Sequence, residues 1–194
     1  MQITGQNITL ESLYEVAHNP QVKVTLSPEA HAEMKKSRDY IEGRISSGEV
    51  MYGVNTGFGA FSSVRISDSE IEQLQRNLIR SHSMGIGAPF TKNETRAMMV
   101  LRANALAKGH SGIRPLVVEK ILEFLNNDII PVVPSQGSVG ASGDLAPLSH
   151  LALTIIGEGE AWGANDEIVH VEKLLQAKKI HFLSFEVKNT FSKE

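Results

Sequence analysis

No cysteine occurs among the 194 residues, which excludes both a disulfide frame and a thiolate metal site. Basic clusters are also lacking. The net charge is −3 with 21% charged residues, so nothing marks a nucleic-acid partner. The longest apolar runs, such as Leu151 to Ile156, fall far short of the ~20 residues a membrane span needs. The start at Met1 has no basic-then-apolar order of a secretory signal, and no His and carboxylate spacing matches a metal site. What remains is an ordinary globular composition, 41% hydrophobic, long enough for one domain with a core. The expectation is a cytoplasmic chain without metal, membrane or nucleic acid.

Hydrophobic spacing is mainly helical, so the predicted fold class is mainly α. Thr9 caps a short helix carrying Leu10, Leu13, Val16 and Ala17, which stops before Asn19-Pro20. Val22 to Val24 reads as a brief strand. Ser27-Pro28 opens a second helix, cap followed by proline, running to about Ser46. Asp68 to His82 places Ile71, Leu74, Leu78 and Ile79 on one face and ends towards Gly85 and Gly87. Thr91 and Glu94 form a capping box for a helix carrying Met98, Leu101, Ala105 and Leu106, with Arg96 and Arg102 expected on its solvated side. Pro115 to Asn126 turns Leu116, Ile121, Leu122 and Leu125 inward. Leu145 to Ile156 is apolar nearly all round and is expected inside. His18 and His31 read as surface or packing residues, and His150 as a satisfied buried histidine.

Two glycine-rich stretches interrupt this pattern. In Met51-Tyr52-Gly-Val-Asn55-Thr-Gly-Phe58-Gly59 the glycines disfavour helix and strand, leaving a loop that puts Tyr52, Asn55 and Phe58 on a tight path. On its own, Tyr52 reads as a half-buried aromatic with a hydrogen-bonded hydroxyl. The second stretch runs from Gly137 to Leu151, with glycines at 137, 140 and 143 and an apolar helix opening after Asp144. It lacks the lysine of a phosphate loop and the spacing of a dinucleotide fingerprint.

Two readings of that second stretch stand side by side. One is a flexible turn with Asp144 as helix cap and Leu145 to Pro147 as first turn. The other is chemical. If the chain bends so that the Gly143 nitrogen reaches the Ala141 carbonyl carbon, a five-membered ring closes; loss of water from it and from the Ser142 side chain leaves an exocyclic methylidene. Ala141 is small enough for the bend, Ser142 carries the leaving hydroxyl, and Gly143 lacks a Cβ. The product is an electrophile, which no standard side chain supplies.

The run Gly137-Ser-Val-Gly-Ala-Ser-Gly-Asp-Leu-Ala-Pro-Leu148 resembles the signature of the histidine and phenylalanine ammonia-lyases, whose Ala-Ser-Gly cyclises to 4-methylideneimidazol-5-one (MIO). Tyr52 to Gly59 resembles their second signature, and Gly109 to Gly112 their Gly-His-Ser-Gly turn. The resemblance implies an autocatalytic MIO from Ala141, Ser142 and Gly143, with no external cofactor, and Tyr52 as the base that takes the substrate β-proton. A phenol does so at neutral pH only where positive charge or donors stabilise its phenolate. By itself His82 reads as a capping histidine near a helix end. In the histidine enzymes a Ser-His pair at the place of Ser81-His82 binds the substrate imidazole, whereas phenylalanine enzymes carry Phe-Leu and tyrosine enzymes His-Leu. The implied activity is removal of ammonia from L-histidine to give urocanate. A tyrosine or phenylalanine lyase or aminomutase is the alternative within the same chemistry, and a non-catalytic remnant is the alternative outside it.

The resemblance is dense from Met51 to Gly163, loose over the first fifty residues, and fades beyond Val171. The domain reading is therefore an incomplete MIO-bearing lyase domain over 1–170 and a divergent tail over 171–194, charged and unpatterned from Phe185. Full-length members are homotetramers whose later helical bundle supplies an Asn, a Gln, a second Tyr, an Arg for the substrate carboxylate and a Glu. Without these, a truncated and at best weakly active chain is expected.

Overall fold

The computed structural model describes residues 1–56, 66, 68–138 and 145–183. The candidate residues Ala141, Ser142 and Gly143, with Asp144, Phe58 and the stretch from Phe185, lie outside them. The amino-terminal helices start where side chains answer their free N–H groups. In α1 (Leu10–His18) the Thr9 hydroxyl accepts from the Ser12 amide at 3.2 Å, and Ser12 Oγ accepts from the Thr9 amide at 3.0 Å. Ser27 does the same for Ala30 at the head of α2 (Pro28–Ser46), with proline at the first position. After α3 (Asp68–His82), the Thr91 and Glu94 box opens α4 (Lys92–Leu106). There the Thr91 hydroxyl and amide hold the Glu94 carboxyl below its usual range. Helix α5 (Pro115–Asn126), α6 (Leu145–Ile155) and α7 (Val171–Lys178) complete a mainly helical fold.

The core lies where α1, α2, α4 and α5 meet. Val16, Met34, Met99, Val100, Ala103, Val118, Ile121, Phe124 and Leu125 are buried there. Val171, Leu175 and Leu183 belong to the same core, so the residues that follow Gly163 pack on the domain at least as far as 183. Seven short strands, among the described residues, staple the helices together. Gln2–Ile3 (β1) runs parallel to Thr25–Leu26 (β2). Ile86–Pro89 (β3) is antiparallel to Pro134–Gln136 (β5). Ile130–Pro131 (β4), Glu160–Trp162 (β6) and Ile168–His170 (β7) form an antiparallel trio. The strand expected over Val22 to Val24 is displaced to Thr25–Leu26, because pairing with Gln2–Ile3 decides its position.

Two helix faces differ from expectation. In α4 the buried stripe is Thr95, Arg96, Met99, Val100, Ala103 and Leu106, whereas Leu101 is exposed; in α5 Leu116 is exposed and Val118 and Phe124 are inside. Arg96, expected in solvent, is 2% exposed. It is inside because helix ends converge on it. Its Nε donates to Val16 O near the end of α1 at 3.1 Å, and its Nη1 donates to Asp128 Oδ1 at 3.0 Å and Leu125 O at 3.4 Å. Lys92 also reaches Asp128, at 2.9 Å. Val16 O, which meets no helical donor because the residue four on is Pro20, thus finds one in Arg96, while Leu125 O, already bonded by the Asp128 amide, gains a second. Burial lowers the Arg96 pKa and Asp128 opposes that. Arg102 is half-buried instead.

Replacing Arg96 by Met keeps the volume but strands Val16 O and takes from Asp128 one of its two cations, and should cost about 3 kcal/mol in urea unfolding. Lys92→Met, which leaves Arg96 on Asp128, should cost under about 1 kcal/mol in the same measurement.

Candidate active site

Tyr52 stands on a turn that Asn55 builds. The Asn55 side chain is buried, accepts from the Met51 amide at 2.8 Å and donates to Glu49 O at 2.8 Å. Thr56 Oγ1 accepts from the Gly53 amide, and the Ile66 amide returns to Asn55 O. An amide side chain that bridges both ends of its own turn gives a fixed path without helix or strand. Tyr52 itself is 66% exposed, not half-buried, so the turn fixes its backbone and leaves much of the ring facing outward.

Ser81 and His82 close the last turn of α3. His82 Nδ1 lies 2.8 Å from Leu78 O and 3.1 Å from Ser81 Oγ, and Ser81 Oγ itself donates to Leu78 O at 3.0 Å. A carbonyl only accepts, so the short contact puts the proton on Nδ1 and, in the neutral ring, the lone pair on Nε2. The capping role and an acceptor for an incoming N–H therefore coexist in one side chain. Ser83 Oγ donates to Ile79 O at 2.8 Å, completing the end of the helix.

Three residues on from His82 the chain meets the entry of the Ala141-Ser142-Gly143 loop. Gly137, the first residue of that motif, has φ +131°, and a Cβ there would come 2.9 Å from Gly85 Cα and 3.4 Å from Ala146 Cβ. A Cβ on Gly85 would in turn sit 3.0 Å from Pro134 Cβ and from His150 Nε2. The two backbones approach this closely because neither residue has a side chain, and β3 and β5 pair beside them. The Gly85 amide donates to His150 Nε2 at 3.1 Å. Burial lowers the His150 pKa, with Glu160 opposing, as suits an imidazole that accepts a hydrogen bond. His150, read from sequence as a satisfied histidine, is half-buried, and its amide partner lies 65 residues away.

A second contact between α3 and the far end of α6 has no local signal in the sequence. Glu158 accepts from Arg80 Nε at 2.8 Å, Arg80 Nη2 at 2.7 Å and Arg76 Nη1 at 3.1 Å. The bidentate Arg80 contact is the main reason the Glu158 carboxyl titrates below its ordinary 4.5; burial opposes it and Arg76 assists. Among the described residues no group of three or more His, Asp or Glu stands close enough to hold a metal, and no helix is long and apolar enough to cross a membrane.

The cap on one loop, the Ser-His helix end and the glycine-packed entry to an Ala-Ser-Gly loop define an aromatic amino acid lyase scaffold. The chain belongs to that family: the aromatic amino acid lyase model matches residues 8–192. The histidine ammonia-lyase of Geobacillus thermodenitrificans is 49% identical over 175 residues, which are 90% of this chain and 34% of that enzyme. Histidine ammonia-lyase from Trypanosoma cruzi superposes with a TM-score of 0.87 at 36% identity, covering 95% of this chain and 35% of the other. Tyrosine aminomutase from Streptomyces globisporus gives 0.88 at 37% identity, over 98% and 35%. The chain spans about a third of the length of these relatives.

Because Glu158 has a depressed pKa in the folded state, its contribution to stability is complete above 4.5 and disappears as the pH falls through the folded value. Glu158→Gln should therefore lower the thermal midpoint by about 2–4 °C at neutral pH. That gap should close well below pH 4.5, as read by circular dichroism melts across the range.

Proposed function

We propose that this chain is the electrophile-bearing part of a cytoplasmic ammonia-lyase that converts L-histidine to urocanate and ammonia. The observation that carries the reading is the junction of the Ser81-His82 helix end with the entry of the Ala141-Ser142-Gly143 loop, through Gly85 and Gly137. Relatives named histidine ammonia-lyase support the substrate. The residues fit an MIO: the cradle at Gly137 has no room for a Cβ, and the tripeptide holds the leaving hydroxyl and the unhindered nitrogen that closure needs. When formed from Ala141, Ser142 and Gly143, that group supplies an electron sink that makes the substrate amine a leaving group.

The chain's own side chains do the rest. His82 Nε2 accepts the N–H of the substrate imidazole, and Ser81 steadies the His82 ring from the Nδ1 side. Tyr52, as phenolate, takes the β-proton onto its oxygen; the Cβ–H electron pair becomes the Cα–Cβ double bond as the C–N bond breaks and ammonia departs. The carboxylate clamp, the cover over Tyr52 and the homotetramer contacts belong, in this proposal, to the length the relatives have beyond the match. On the same footing, 1–170 is an incomplete lyase domain and 171–194 a tail divergent in sequence, whose Val171, Leu175 and Leu183 pack in the same core.

The likeness to a tyrosine aminomutase favours a second reading, in which the same site takes tyrosine. Mass spectrometry and binding separate the possibilities. The purified chain should lack the mass of two waters, in the peptide spanning Gly137 to Leu151, and Ser142→Ala should restore it. An unmodified wild-type mass would leave a remnant without its electrophile. L-Histidine should bind in preference to L-tyrosine, and His82→Leu should weaken it about ten- to a hundredfold. Tighter binding of tyrosine would overturn the histidine assignment.

A further inference from the structure

His150 is a titratable side chain of the helix that follows Ser142, and its ring bonds the segment just past His82. It projects from the second turn of α6, eight residues after Ser142, and its Nε2 receives the Gly85 amide at 3.1 Å. An N–H donor requires a lone pair at Nε2, so the ring is neutral with its proton on Nδ1. Gly85 is half-buried, and a Cβ there would meet Pro134 Cβ at 3.0 Å and Gln136 O at 3.2 Å. A Cβ on Gly137 would in turn come 2.9 Å from Gly85 Cα and 3.4 Å from Ala146 Cβ. One small volume thus gathers the chain just past His82, the loop entry and the first two turns after the loop exit. Steric packing sets how near these segments come, but only a directional bond fixes their rotation and slide. The Gly85–His150 bond supplies that direction.

We propose that His150 is a positioning residue, which through the Gly85 amide sets the place of Ser81-His82 relative to Gly137 and Ala146, described residues on either side of Ser142 in the chain. It touches neither substrate nor the reacting atoms. A rotation of the 82–85 segment of a few tenths of an ångström would misdirect His82 Nε2, and binding that depends on one hydrogen bond is sensitive to such a shift. The substrate part of this inference rests on the histidine reading above; the pin itself does not.

The test uses the full 194-residue chain and four readouts. Long-range proton–nitrogen NMR at neutral pH should find His150 neutral with Nε2 unprotonated. The Gly85 amide should exchange at least about tenfold more slowly in the wild type than in His150→Phe, which fills the space without an acceptor. His150→Gln, whose amide oxygen comes near the place of Nε2, should recover most of that protection. L-Histidine affinity should follow the same order, falling about tenfold in His150→Phe and returning in His150→Gln, while the two-water mass deficit stays in all three chains.

A protonated Nε2 at neutral pH, or a Gly85 amide that exchanges equally fast with and without His150, overturns the pin. Unchanged histidine affinity in His150→Phe, where His82→Leu does weaken it, overturns the positioning role. A wild-type chain that does not bind L-histidine refutes the histidine reading, and the pin is then decided by the Gly85 amide alone. Should His150→Phe fail to fold, the ring's protonation state and Gly85 exchange in the wild type against His150→Leu, a smaller side chain without an acceptor, decide the matter.

Discussion

Everything near the candidate site depends on two backbones being allowed to touch. Gly85 and Gly137 have no side chains to hold them apart, and a single Cβ on Gly137 would stand 2.9 Å from Gly85 Cα. That contact lets β3 and β5 pair as a short antiparallel ribbon, which then does two things at once. It stops α3 at a fixed place, and it aims the chain into the 139–144 stretch from a fixed direction. Neither task needs a long sheet. A two- or three-residue pairing suffices because proline at 89 and 134 limits the backbone on both strands, and α6 closes the far side through Ala146 and His150.

Charge is used where helices meet, and burial decides how. Arg96 lies inside among the ends of α1 and α5, where its donors answer carbonyls that the helices cannot bond themselves. Its value is structural, since removing it leaves Val16 O without a donor inside the fold and Asp128 with Lys92 alone. Arg76 and Arg80 work nearer the surface, clasping Glu158 so that α3 cannot slide along α6. The apolar residues of α3, Ile71, Leu74, Leu78 and Ile79, are only half-buried, so hydrophobic burial alone does not lock this helix. The clasp at one end and the glycine contact at the other take over that task.

These features divide cleanly in how far they could be read from the sequence. Helix starts at Thr9, Ser27 and Thr91 were legible because a cap is a local matter, a side chain and an amide three residues apart. The site motifs were legible for the same reason, as unbroken runs. The inward face of α4 was not: Arg96 carries a charge that a pattern reading sends to solvent, and the partners that reverse this lie on α1 and beyond α5. Strands of two or three residues give no periodicity to detect, and Glu160–Trp162 sits among Gly157, Gly159 and Gly163, which read as a break. The His150 ring stands out in the sequence, but its partner is a backbone amide, which every residue but proline has. A sequence cannot single one out.

The two halves of the proposed chemistry rest on separate supports, and this has a mechanistic consequence. Tyr52 is held through Asn55 by bonds within its own turn, while Ser81-His82 is held through Gly85 by the ribbon and His150. A change in one support has no direct path to the other among these contacts. In the proposed reaction the first support governs the group that takes the proton, and the second governs where the substrate ring rests. Binding and proton abstraction would then be separable by substitution, with Asn55 acting on the chemical step and the Gly85 contact acting on affinity. Such a division suits a site whose proposed base is 66% exposed on this chain. The Tyr52 ring needs a cover that excludes water and stabilises its phenolate, and a base anchored independently of the substrate pocket can receive that cover without disturbing the imidazole contact.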